Sequence, residues 1–304
     1  MTHKLRKIES ISDFHRVRGL SSPLHPMISL IDYSQVQTLP EHIGERWLMN
    51  FYSIGLKRNV GKLRYGQQEY DFDEGLMSFI APGQILSIEP NTNPKVKPSG
   101  WLLLIHPNFL WHTPLATKIK QHEFFGYTIH EALFLSEKEE HTIVGIFNNI
   151  QQEYDSTIDA FSQRIIIAQI ELLLNYAERF YQRQFITRKI SNHQILGELE
   201  RVLDEYYAGQ NLASRGIVTV QYVADALHVS PNYLSSLLKS LTGQSTQQHI
   251  HEKLIQKAKE QLSTTDLSVS EIAYALGFEH PQSLSKLFKS KTQLSPVEFR
   301  QSFQ

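Results

Sequence analysis

The chain has 304 residues, 41% apolar and 20% charged, with Gly 15 and Pro 12, which excludes a miniprotein, wholesale disorder and a collagen-like repeat. At roughly 150 residues per domain the length predicts two domains. The absence of Cys excludes a disulfide framework, a thiolate zinc site and a cysteine nucleophile, and the formal net charge of -1 announces no acidic or basic partner.

The opening stretch MTHKLRKIES is basic without an apolar run, and the most apolar segment, Trp101 to Trp111, is interrupted by His106, Pro107 and Asn108. Neither secretion nor membrane insertion is expected. From about 25 to 110 the chain reads as short strands (MISLIDYS, RWLMNFYSIGLK, EYDFDEGLMSFIAPG, QILSIEP, GWLLLIH) separated by Gly, Pro and Asn clusters. That spacing predicts a β-sandwich or barrel. Near Glu131 the pattern changes. Ser136 with Glu139 forms a capping box that opens a helix to about Tyr154, and Phe161 to Tyr181 is a second, longer helix. The second carries Ile165, Ile166, Ile167, Ile170, Leu172, Leu173 and Leu174 around much of its circumference, which suits a subunit interface or packing on its own sheet.

Residues 183–192 read as a polar, basic linker. Beyond it the pattern predicts about seven helices, with capping boxes at Ser191/Gln194, Ser245/Gln248, Ser268/Glu271 and Ser295/Glu298, and a further start at Ser230-Pro231. Charge is balanced on both sides of residue 190, with 20 Lys+Arg against 20 Asp+Glu before it and 10 against 11 after it. A nucleic-acid reading must therefore come from patterning.

The patterning contains a repeat. LSSLLKSLTGQST (234–246) returns fifty residues later as LSKLFKSKTQLSP, and VADALHV (223–229) returns forty-nine later as IAYALGF. Each copy is a helix with a small residue, Ala224 or Ala273, then a tight turn at His228 or Gly277 that calls for positive φ, then a second helix. Leu234, Leu237, Leu238 and Leu241 face inward in copy one, as do Leu284, Leu287 and Phe288 in copy two. Asn232, Ser235, Ser236 and Lys239, matched by Gln282, Ser285, Lys286 and Lys289, form outer faces suited to a major groove. There Asn and Gln pair with adenine, Lys pairs with guanine, and a further Lys neutralises phosphate. Between the copies, TQQHIHEKLIQKAKEQL predicts one helix with a buried stripe of Ile250, Leu254, Ala258 and Leu262. It spans roughly 26 Å, compatible with two recognition helices in successive major grooves.

On these residues, the stretch from about Ser191 to Gln304 resembles the DNA-binding domain of the AraC family of bacterial transcription regulators. The family signature is carried by Ile272, Ala273, Gly277, Phe278, Phe288, Lys289, Ser295, Pro296, Phe299 and Arg300, and its central-helix element by Lys253, Leu254 and Ala258. Departures are Gln293 where Gly is usual, Lys253 where Arg is usual, His228 where a small residue is common, and Ser283-Leu284 where an aromatic often sits. The resemblance implies an α+β chain: a cupin-like β-barrel with a helical hairpin over 1–182, which binds a small-molecule effector and dimerises, then an all-α domain over 193–304 with two helix-turn-helix units. It also implies a cytoplasmic, nucleoid-associated transcription regulator, activator or repressor, that is a homodimer on double-stranded operator or promoter DNA and contacts RNA polymerase.

The rival class is a metal-dependent cupin-type enzyme fused to a DNA-binding module. Such a site needs two or three His with a carboxylate, two of them at i, i+2 on a strand. His25, His42, His106, His112, His122 and His130 lack that spacing, and His249 and His251 fall on different faces of a helix. No enzyme activity, metal or cofactor is expected. The barrel aromatics Trp47, Tyr65, Tyr70, Phe72 and Trp101 are read as core packing, with stacking on an effector as the alternative.

Overall fold

The computed structural model describes residues 5–36, 39–43, 45–58, 63–65, 68–70, 75–87, 99–127, 131–156, 160–187, 189–208 and 215–302. Two units divide the chain, Met1–Gln184 and Phe185–Gln304. No helix among the described residues is long and apolar enough to cross a membrane.

The first unit opens with strand β1 (Leu5–Ile8) and helix α1 (Ile11–Val17), whose Ser10 cap accepts from the Asp13 amide. With only seven residues, α1 is too short for its apolar spacing to stand out in the sequence. Strands β2 (Ile28–Asp32), β4 (Tyr52–Arg58), β7 (Leu76–Ile80), β9 (Ser99–Ile105) and β10 (Leu133–Phe134) form a five-stranded sheet in the order β10-β7-β4-β9-β2. Strands β1, β3 (Arg46–Met49) and β8 (Ile85–Ser87) form a three-stranded sheet, and β5 (Leu63–Tyr65) pairs with β6 (Gln68–Tyr70). The closed barrel expected above is not formed among the described residues. The five-stranded sheet ends at β10, only two residues long, and at β2, with no ladder from either edge to the three-stranded sheet. Helix α1 fills part of the space between the sheets, where Phe14 meets Trp47 and Phe51 edge-on at 6.2 and 6.1 Å. Its His15 is buried, with Nε2 2.9 Å from Ser29 Oγ, and burial holds the imidazole below its ordinary pKa.

The opposite sheet face packs on helices. A short helix α2 (Leu115–Lys118) precedes α3 (Glu137–Asp155), which opens on the predicted Ser136/Glu139 capping box, and α4 (Ala160–Thr187). Trp101 stacks on Phe147 of α3 and Phe79 lies against Tyr181 of α4, so these aromatics are packing residues. Gln184 of α4 accepts from the Phe134 amide at 2.9 Å and donates to the Ala132 carbonyl, satisfying the backbone of the β10 edge. Ile166, Ile170, Leu173 and Leu174 of α4 are fully buried in this unit. Most of the apolar circumference of the helix is therefore used internally. Ile165 and Leu172 remain 43% and 42% exposed.

Residues 183–187 continue α4 and residues 189–192 open α5 (Lys189–Ala208), so the stretch read as a linker is helical on both sides of residue 188. The expected start at Ser191 is absent because α5 already runs through it. The second unit continues with α6 (Val220–Ala226), α7 (Pro231–Thr242), α8 (Thr246–Thr264), α9 (Val269–Ala275), α10 (Pro281–Thr292) and α11 (Pro296–Gln301). The caps at Ser230, Ser245, Ser268 and Ser295 are those read from the sequence. Ile250, Leu254, Ala258 and Leu262 of α8 are buried in a core shared with Leu199 and Leu203 of α5 and with both repeat copies.

Candidate nucleic-acid interface

The two copies fold alike because their local chemistry is alike. In copy one, the fully buried Ala224 lets α6 and α7 approach. The chain turns at His228 with φ 56°, and the Val229 amide donates to the Ala224 carbonyl at 3.0 Å. In copy two, α9 and α10 meet over Ala273, the turn is at Gly277 with φ 88°, and the Phe278 amide donates to Ala273 at 2.9 Å. Proline begins both second helices, where a missing N–H costs nothing, and both end on a left-handed residue, Gly243 (φ 77°) or Gln293 (φ 64°). Those two amides donate to the Lys239 and Lys289 carbonyls, each at 2.9 Å. Thr242 and Thr292 then repeat one pattern, in which the hydroxyl donates to the carbonyl four residues back and accepts from the amide two residues ahead.

The turn of copy two is packed more tightly. Gly277 lies directly on the backbone of Gly216, so a Cβ at 277 would fall 2.6 Å from the Gly216 carbonyl carbon and oxygen. Tyr206 of α5 donates from its hydroxyl to the Gly216 carbonyl at 3.0 Å, fixing the segment against which the turn rests. Neither role is visible in the sequence, since the partners are far apart along the chain and no periodicity joins them. Lys253 bridges to Asp204 of α5 at 2.7 Å. Arg300 donates to the carbonyls of Leu262 and Leu267 at 3.2 and 2.6 Å, closing the C-terminal end of α8. These two basic residues of the resemblance therefore serve the fold.

The outer faces carry the eight residues singled out by spacing. Asn232, Lys239, Gln282, Lys286 and Lys289 are exposed, while Ser235, Ser236 and Ser285 are half-buried. Ser235 Oγ lies 3.1 Å from the hydroxyl of the fully buried Thr246, and Ser285 donates to the Pro281 carbonyl of its own helix. Those two hydroxyls are engaged within the domain. Inward, Leu234, Leu237, Leu238, Leu284 and Phe288 are fully buried, and Leu241 and Leu287 half-buried. Charge is unequal between the faces. Helix α10 carries Lys286, Lys289 and Lys291, the last 4.0 Å from Glu252, whereas α7 carries Lys239 alone. Among the described residues no three His, Asp or Glu gather as a metal site; His130 lies outside them.

Residues 223–302 match the family described as "Helix-turn-helix domain". The chain is 32% identical over 141 residues to the HTH-type transcriptional regulator YijO of Escherichia coli K12, a match that spans 46% of each protein. It is 24% identical over 297 residues to the xylose operon regulatory protein of the same organism, covering 91% of this chain and 74% of that one. Among solved structures, the C-terminal domain of the two-component response regulator yesN from Fusobacterium nucleatum is 29% identical over 34% of this chain and 93% of that one, with a TM-score of 0.30. With two matched helix-turn-helix units inside the matched segment, residues 223–302 form a helix-turn-helix domain of AraC type, similar to segments of proteins named as transcription regulators.

Proposed function

We propose that this protein regulates transcription by binding a DNA site with both helix-turn-helix units, under the control of a small molecule bound by the N-terminal unit. The observation that carries the reading is the duplicated unit, which presents one polar, cationic outer face per copy on opposite ends of a shared helix. Helix α8 has 19 residues and is about 28 Å long, which with the width of the units suits recognition helices one DNA turn apart. Sequence would be read by Asn232, Gln282 and Lys286, while Lys239 and Lys289, nearer the helix ends, would meet phosphate. No metal or cofactor enters this reading.

Binding titrations at several salt concentrations, on the preferred duplex and on single-base variants, test it. Lys286→Ala is expected to cost about 1 to 3 kcal/mol on the preferred site and to relax discrimination at one or two positions. Lys289→Ala should weaken all sequences alike and reduce the slope of log K against log salt by about 1, because one fewer counterion is released. Equal, sequence-independent losses in both variants would show that Lys286 reads no base. Affinity for every duplex that does not vary with salt would sink the DNA reading itself.

The same reading makes the protein a homodimer on its operator, in contact with RNA polymerase. The dimer contact is assigned to the outer stripe of α4, where Phe161, Ile165, Ala168 and Leu172 are exposed at alternating spacings of four and three, the seam of a coiled coil. Ile165→Asp with Leu172→Asp is expected to yield monomer in sedimentation with an unchanged circular dichroism spectrum. A dimer that persists in that variant removes α4 from the interface. Ile166 and Leu173 are unsuitable for the test because both are fully buried within the unit.

A further inference from the structure

Both helix-turn-helix copies pack on α8, and the length of that helix limits how far apart they lie. An apolar core keeps packed helices together but lets them slide and roll by small amounts, because burial has no direction. Fixing the rotation of one copy against the other takes a second, directional contact away from α8. The chain makes one. Residues 216–219 run into α6, the first helix of copy one, and their start lies on the turn of copy two. A Cβ placed on Gly277 would stand 2.6 Å from the carbonyl carbon and oxygen of Gly216 and 3.1 Å from the Ile217 nitrogen. The 216–217 peptide therefore rests on the Gly277 backbone, with no side chain between them.

Tyr206 of α5, which belongs to neither copy, grips the same peptide. Its hydroxyl donates to the Gly216 carbonyl at 3.0 Å and more weakly to the Arg215 carbonyl at 3.4 Å. Its buried ring meets the ring of Tyr222 in α6 edge-on at 4.9 Å, and the Arg215 guanidinium lies 5.2 Å from its centre. One side chain thus holds both the entry to copy one and its first helix, at the place where that entry touches copy two. Val218, two residues on, is buried in the shared core, so the segment is anchored beyond the contact as well. Without the hydroxyl, the Gly216 carbonyl loses a donor that orients it, and the peptide is held against Gly277 by packing alone.

From this arrangement we infer that Tyr206 is a positioning residue for DNA recognition: by clamping the Gly216 carbonyl on the turn at Gly277, it sets the angle between recognition helices α7 and α10, and with it the half-site spacing that the protein accepts. One added base pair moves a half-site by about 3.4 Å and turns it by about 35°, so a small roll of one copy is enough to change the preference. The inference rests on the reading that both units bind one DNA site, and it names what fixes their separation.

Tyr206→Phe tests it, since the ring stays and only the hydroxyl is lost. Titrations on the full chain use the preferred duplex, the same duplex with one base pair added or removed between the half-sites, and duplexes with either half-site scrambled. Wild type is expected to lose about tenfold or more in affinity when the spacing changes by one base pair. In Tyr206→Phe that ratio should shrink about threefold or more. A looser pair lowers the effective concentration of the second unit at the right spacing and raises it at the wrong ones. Affinity for duplexes with one half-site scrambled should stay within about twofold, because each unit alone is unaltered. Circular dichroism and a thermal melt check that the variant folds. A spacing ratio that Tyr206→Phe leaves intact overturns the inference and leaves the two-unit reading standing. Equal losses on every duplex, those with a single half-site included, make the hydroxyl a support of the fold only and overturn it as well. Wild-type affinity indifferent to scrambling one half defeats the two-unit reading, and the inference with it.

Discussion

Gly277→Ala is expected to destabilise the C-terminal unit by about 3 to 4 kcal/mol, the sum of a left-handed-backbone penalty near 1 to 2 and an overpacking penalty near 2. The two contributions can be separated with a second glycine. Gly243 has φ 77°, close to the 88° of Gly277, but nothing lies within 4 Å of a Cβ built on it. Gly243→Ala should therefore cost only the conformational part, about 1 to 2 kcal/mol. At Gly277 the new methyl meets backbone atoms of Gly216, which cannot swing aside as a side chain could, and Gly216 is itself tied to Tyr206. Denaturation offers a clean readout. All three Trp, at 47, 101 and 111, lie in the first unit, so fluorescence follows that unit, while far-ultraviolet circular dichroism also follows the helices of the second. The circular dichroism transition should move to lower denaturant with the fluorescence midpoint unchanged. Equal losses at Gly243 and Gly277 would mean that the Gly216 contact carries no weight.

The second large effect concerns Glu45, which ties β1 to β3. Its side chain is 8% exposed, accepts a fork from Arg6 at 2.8 and 3.1 Å, and accepts from the Trp47 indole at 3.0 Å. The Arg6 hydrogen bonds outweigh the opposing effect of burial, and the Trp47 bond and nearby positive charge add to them. Together they hold the carboxyl at about 2, against an ordinary 4.5. A depressed pKa means that the folded state favours the ionised form. The stabilisation is fully present above pH 4.5 and is lost as pH falls from there toward 2. Glu45→Gln removes it at every pH and leaves the Arg6 guanidinium, about one-third exposed, without its partner, for an expected cost of about 2 to 3 kcal/mol at neutral pH. Acid titration of Trp fluorescence should show the wild-type first unit losing stability more steeply than the variant across this window. Parallel curves would mean that Glu45 titrates normally.

The repeat, its turns and its caps were legible because each is a short-range matter. Positive φ at His228 and Gly277 follows from what a short turn between helices demands, and the Ser-x-x-Glu/Gln pairs satisfy orphan amides within one turn of helix. The buried stripes of α7, α8 and α10 follow from the 3.6-residue period alone. Even the departure at Gln293 resolves locally, since it takes the left-handed conformation that Gly243 takes in the first copy.

What the tertiary structure decided is what depends on partners distant in sequence. Strand order β10-β7-β4-β9-β2 depends on pairings that no local pattern encodes, and among the described residues the two sheets share a core with α1 but no ladder. The apolar circumference of α4 could not reveal that Ile166 and Leu173 would be covered while Ile165 and Leu172 stay exposed, because all four are equally apolar. Ser235 and Ser285 share the spacing of the groove-facing residues, yet their hydroxyls are spent inside the domain, and the Gly277–Gly216 contact joins two backbones with no side chain to signal it. Periodicity reports which side of an element is apolar; which neighbour covers that side, and where a polar group finds its partner, is settled only when the whole chain competes for the same buried surface.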